Sequence, residues 1–213
     1  MKKITTILLV TSLLIISARG QGFLNLNFES AYNLTNNPGN DGVLVSVTNA
    51  LPGWTAYDGD NALADIYYVT NFLNIFHGSV DLVGGSPALS GNFSVGLSSD
   101  SSLSQTAQVP SNAESLEFET LFALNFELYL GGQRIYYTEI SAGNGYDTYG
   151  ANLPAGMAGQ VETLTFSVQD SGTVLDGIVF SSVPEPGEGA LLAFGALVWG
   201  VYWRRSRTER RKY

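Results

Sequence analysis

The chain has 213 residues, a length that suits one domain with appended signals. Its net charge of −9 is unevenly spread: three of the ten Lys and Arg lie in the first twenty residues and six in the last ten, leaving only Arg134 between. Residues 21–183 hold sixteen Asp and Glu against that one Arg, a net of −15, which repels phosphate backbones and excludes nucleic acid as a partner. With no cysteine there are no disulfides or thiolate metal sites, and with His77 as the only histidine there is no multi-histidine zinc site.

At the N-terminus, Lys2 and Lys3 form a positive region, and Ile7 to Ile16 is apolar except for Thr11 and Ser12. Ala18-Arg19-Gly20 then offers small residues for a cut before Gln21, so residues 1–20 read as a signal peptide. The apolar stretch is too short for a comfortable membrane span.

Residues 21–182 alternate apolar runs with Gly, Ser, Thr and Asn, the pattern of short strands joined by tight turns. Val43 to Thr48, Ile66 to Thr70, Ser79 to Val83 and Phe93 to Ser98 are predicted strands. In the next, Leu116, Phe118, Thr120 and Phe122 share one face and Glu117 and Glu119 the other, the period of a half-buried strand. Phe126, Leu128 and Leu130 repeat that pattern before Gly131-Gly132, which predicts a hairpin into Gln133 to Ile140. Leu164, Phe166 and Val168 alternate again, followed by Leu175 to Phe180. No segment here has sustained helical periodicity. The expected fold is all-β, a jelly-roll β-sandwich flanked by an N-terminal signal helix and a C-terminal transmembrane helix.

The C-terminus has three parts. Val183-Pro184-Glu185-Pro186 ends the last strand, because proline cannot continue a ladder. Gly189 to Trp203 has no charged side chain and no polar face, and at about 1.5 Å per residue it covers roughly 22 Å of a hydrocarbon core of about 30 Å. The basic run from Arg204 would hold the tail in the cytoplasm. This arrangement resembles the PEP-CTERM sorting signal of exopolysaccharide-producing Gram-negative bacteria. The match is carried by Val183, Pro184, Glu185, Pro186, the span Ala190 to Trp203, and Arg204 and Arg205. It implies a sorting region over 183–213: a motif at 183–186, a transmembrane helix over about 188–203 and a basic tail at 204–213. It also implies an exosortase-type membrane transpeptidase as partner at the inner membrane. The protein would be exported and transiently anchored, with its mature domain at the cell surface or outside the cell.

Within the middle domain, an ordered series is similar to galactose-binding-like jelly rolls, several carbohydrate-binding modules among them. The series is LNFES (26–30), LPGWTAY (51–57), SLEFE (115–119), AGQVETLTF (158–166) and LDGIVFS (175–181). The resemblance implies that Trp54 plugs the core, that Phe28 and Phe180 lie on paired terminal strands, and that Glu29 and Asp176 hold a structural calcium. Calcium favours such hard oxygen ligands. Asp176 is followed by Gly177 where relatives often carry a second acid.

No catalytic triad is available to a chain without cysteine and with a lone turn histidine. Scattered carboxylates leave glycoside hydrolysis as a distant reading. The tyrosines offer faces on which sugar rings stack. Tyr146, Asp147 and Tyr149, bracketed by Gly145 and Gly150, form the best candidate for an exposed recognition loop. Two readings stay open: a non-enzymatic surface or matrix protein associated with extracellular polysaccharide, and a lectin-like module with a defined glycan.

Overall fold

The structure is a computed structural model, and it describes residues 22–34, 38, 41–71, 75–85, 88–121, 126–143 and 145–183. Both predicted end segments, 1–20 and 188–203, lie outside these. Among the described residues no helix is long and apolar enough to cross a membrane.

In chain order the elements are β1 (Val43–Ser46), a single helical turn α1 (Val47–Ala50), β2 (Thr55–Asp58), β3 (Asn61–Ala62), β4 (Asp65–Val69), β5 (Val80–Gly84), β6 (Phe93–Leu97), β7 (Ser101–Gln108), β8 (Ser115–Thr120), β9 (Phe126–Leu130), β10 (Gln133–Ile135), β11 (Thr138–Ala142), β12 (Asp147–Asn152), β13 (Val161–Val168) and β14 (Thr173–Ser181). They form two sheets. One has eight strands in the order β1-β4-β5-β6-β14-β8-β12-β11, and the other has six in the order β10-β9-β13-β7-β2-β3. Pairing is antiparallel except between β4 and β5. The described chain is an all-β two-sheet sandwich.

Alternation builds the core. Leu116, Phe118 and Thr120 of β8 and Leu128 and Leu130 of β9 are fully buried, and the residues between them are partly exposed. Trp54 plugs the centre as expected, 5.7 Å from Phe28 and 6.3 Å from Phe166 by ring centroid. Phe166 continues the chain of rings to Phe118 at 5.7 Å and Phe126 at 5.6 Å. Each such pair adds about 0.5–1.5 kcal/mol beyond its buried area. The turn Gly131-Gly132 joins β9 to β10 with both φ positive, at 59° and 75°, as a tight hairpin requires.

Two expectations change. The segment around Phe28 is a turn rather than a strand, with φ of 51° at Asn25 and 56° at Phe28. Asn25 organises it: its carbonyl accepts the Trp54 Nε1–H at 3.0 Å and its side-chain oxygen accepts the Ser30 N–H at 2.9 Å. Phe28 therefore does not pair with Phe180, which stacks on Phe23 at 5.2 Å instead. The second change is at Gln133 to Ile140. This expected single strand is divided between the two sheets, and Tyr136-Tyr137 carries the chain from β10 to β11.

The outer faces of the two sheets differ. On the eight-stranded sheet, Val69, Val83 and Val174 point away from the main core yet are buried, forming a second cluster with Ile75 and, partly, Leu89. The segments around residues 75 and 89 roof this face. The six-stranded sheet keeps its outer face partly exposed.

Candidate functional site

The open face of the six-stranded sheet is set by register. Across four neighbouring strands, one row runs Tyr129, Thr165, Ser104, Thr55, and the next runs Glu127, Ser167, Ser102, Tyr57. Arg134 extends the first row and Ala62 the second. Beside them Thr106 and Thr163 share a hydrogen bond of 2.7 Å. Strand spacing places neighbours in a row about 4.8 Å apart and successive rows about 6.8 Å apart. The result is a grid of hydroxyls with a tyrosine towards each side. Glu127 and Arg134 bring the only charges to these outward positions, and they pair at 2.9 Å. The Tyr129 hydroxyl donates to Glu127 at 2.6 Å, which raises the phenol's pKa and fixes its ring. A neutral face thus lies on a strongly acidic domain. Ser and Thr carry no periodic hydrophobic signal, so this face is not legible in the sequence.

The expected recognition loop is placed differently. Asp147 and Tyr149 belong to β12, paired with β8 on one side and β11 on the other. Tyr149 stacks on Phe118 at 5.8 Å and meets Tyr137 edge-on at 5.5 Å, and burial raises the pKa of both phenols. Tyr149 is a wall of the core, not a free platform. Only Tyr146 stays in the connection, its carbonyl accepting the Gly143 N–H at 2.8 Å. A Tyr-rich segment between glycines looks like a loop in sequence; two flanking strands with open ladders make it a strand.

Glu29 and Asp176 grip one loop from two directions. Glu29 accepts the N–H groups of Asn92 (2.7 Å) and Phe93 (2.9 Å) and the Asn92 side-chain amide (2.9 Å). Burial raises its pKa, but these bonds outweigh that and hold the carboxyl below its usual 4.5. Asp176, 1% exposed, accepts the Ser94 hydroxyl at 2.7 Å and the Ser90 N–H at 3.1 Å. Burial pushes its pKa up to about 6 against those bonds, and Glu119, opposite it in register, adds to the rise. Every oxygen of the two carboxyls thus already has a protein donor. Among the described residues no three or more His, Asp or Glu side chains are grouped to hold a metal ion. These donors fit a pinned loop and do not fit a calcium cage.

Other titratable groups are structural. Asp81, fully buried, accepts the N–H groups of His77 (2.8 Å) and Gly78 (2.9 Å), and burial pushes its pKa to about 6. The His77 ring lies edge-on to Tyr67 at 4.4 Å. Asp176 and Glu119 are neighbouring carboxyls, but Asp176 is too enclosed to reach a glycosidic bond. Of the sorting residues, Val183 is described: its carbonyl accepts the Ser115 hydroxyl at 2.7 Å. Pro184, Glu185, Pro186, Arg204 and Arg205 lie outside the described residues.

No protein-family model and no curated protein matches the chain. Two solved structures are similar in outline. One is a family 11 carbohydrate-binding module from Clostridium thermocellum in complex with a β-1,3-1,4-mixed-linked tetrasaccharide, at 13% identity and a TM-score of 0.36, covering 67% of this chain and 96% of that one. The other is the family 11 module of a cellulosomal cellulase of the same organism, at 14% identity and a TM-score of 0.34, covering 68% and 96%. At those scores the likeness carries no weight for the ligand.

Proposed function

We propose that this is a non-catalytic carbohydrate-binding β-sandwich of jelly-roll type, exported and sorted through its PEP-CTERM-like tail, with extracellular polysaccharide as its partner. The observation that carries the reading is the partly exposed, neutral hydroxyl grid flanked by Tyr57 and Tyr129. Sugars present hydroxyls and an apolar ring face, and a grid of Ser and Thr with two aromatic rings complements both. A neutral glycan escapes the repulsion that a domain of net −15 exerts on anionic polymers. Export and anchoring are supported by the order of motif, apolar span and basic run at the C-terminus.

The test is binding of residues 21–183 to a glycan array and to insoluble polysaccharides. Tyr57→Ala with Tyr129→Ala abolishes retention if the grid is the site. Tyr146→Ala abolishes it instead if the β11–β12 connection is the site. Lack of binding to every glycan refutes the reading.

A further inference from the structure

The strands run between two ends of unlike chemistry. One end gathers Asp58, Asp60, Asp100 and Asp170: the Gly59 N–H donates to the Asp100 carbonyl at 2.7 Å and the Asp100 N–H to the Gln169 carbonyl at 3.3 Å. Asp65 and Asp147 open β4 and β12 at the same end. The opposite end is made by 109–113 and 153–159, two segments with no charged side chain. They are tied by the Gly159 N–H to the Val109 carbonyl at 3.0 Å and the Leu153 N–H to the Glu114 carbonyl at 2.9 Å. Leu153, Pro154, Ala155 and Met157 supply its apolar surface, with Val161 and Val183 exposed beside it at 59% and 65%. Glu114 and Glu162 flank it, and Asp41 and Glu29 lie towards the same end of the eight-stranded sheet.

Both ends of the described chain leave from this apolar end. Gly22 bridges to Gln108, the last residue of β7, and the Glu114 N–H donates to the Ser181 carbonyl at 2.8 Å as β14 finishes. After Val183 only residues 184–188 precede the apolar stretch that starts at Gly189. Five residues reach at most about 18 Å when fully extended. The interfacial layer between hydrocarbon and water is about 5–7 Å thick. The exit end therefore cannot stand far from a bilayer that holds the tail.

We infer that, while the tail is uncut, the 109–113 and 153–159 end rests on the lipid surface and the Asp-rich end points away. This rests on the reading of residues 189–203 as a membrane-inserted tail. Length sets this pose: the short connection brings the apolar end down. The strands then stand upright on the membrane, and the hydroxyl grid faces sideways into the surrounding medium. Glycan binding needs no release from the membrane in this geometry.

The absence of cysteine allows clean single-site labelling. Ala155→Cys and Asp60→Cys, both at exposed positions, are each labelled with a fluorophore in residues 21–213, the chain without its signal peptide, and reconstituted into phosphatidylglycerol-containing vesicles that carry a head-group quencher. Flotation resistant to alkaline carbonate reports tail insertion separately. The expected result is flotation with several-fold stronger quenching at position 155 than at 60. Flotation with equal quenching at both positions, or with none at either, overturns the pose and leaves the anchored tail standing. Loss of the chain from the floated fraction overturns the anchor and the pose together.

Discussion

Raising the pH should weaken this fold across a window set by two buried aspartates. Asp81 and Asp176 each rise from 3.8 to about 6 on folding, chiefly because burial penalises the charged carboxylate. A raised pKa means that the folded state holds its proton more tightly than the unfolded chain. The contribution is therefore complete below about pH 4 and is lost as pH rises through about 6. For each carboxyl the cost is about 3 kcal/mol at pH 7, of which about 2 kcal/mol is already relieved at pH 4.5. Glu29 has the opposite sign: its carboxyl is held below 4.5, so its contribution is lost only at more acid pH. Glu119, whose pKa burial also raises, contributes in the same direction as the aspartates, so the comparison of pH 4.5 with pH 7 reports the three together and single variants assign the share of each. Urea unfolding of residues 21–183 at these two values should show greater stability at pH 4.5. Asp176→Asn should shrink the difference by about 2 kcal/mol. An unchanged difference in that variant would refute the assignment of the proton to Asp176.

Gly177 adopts φ +57°, and a Cβ there would sit 2.9 Å from Glu119 Cδ. Gly177→Ala should cost about 1–3 kcal/mol, read as a lower urea midpoint. Trp54→Ala removes the central ring and the bond to the Asn25 carbonyl, and should cost about 3–5 kcal/mol by the same measurement. Chelator should leave the melting temperature unchanged in calorimetry, since Glu29 and Asp176 are occupied by loop donors. A rise on adding calcium would restore them as ligands. The Gln105 side-chain oxygen accepts the Leu24 N–H at 2.6 Å and its nitrogen donates to the Leu24 carbonyl at 2.9 Å, so Gln105→Leu should free the N-terminal segment. Faster amide exchange at Leu24 would show it.

The sandwich places the grid and the core on opposite sides of the same strands. Leu103 and Ala107 of β7 point inward with the buried Gln105, while Ser102, Ser104 and Thr106 point out. Binding chemistry on the outward set can vary without touching the interior. Polar substitutions on the grid should therefore cost little stability, and under the proposed carbohydrate-binding reading they alter glycan affinity, which separates a binding role from a folding role.

Strands whose two faces differ in polarity are legible in the amino-acid order. β8 and β9 announce themselves through Phe118, Leu128 and Leu130 set against Glu117, Glu119 and Glu127, and the Gly131-Gly132 turn follows from a conformation that only glycine adopts cheaply. The division of charge between the ends and the middle was equally legible, because it needs only counting. The rest depends on contacts between segments far apart in the chain. β7 reads SSLSQTAQ, and its period is hidden because Ser101 and Gln105 are buried beside Leu103; the Gln105 amide becomes tolerable there only by bonding Leu24, eighty-one residues away. Asp176 and Glu29 look like metal ligands in a string of letters, yet the loop at 90–94 folds back to satisfy their oxygens. The grid exists only because four strands distant in sequence align in register. A local pattern records which face of a strand is greasy; which strands stand side by side depends on long-range hydrogen bonds that no local pattern contains.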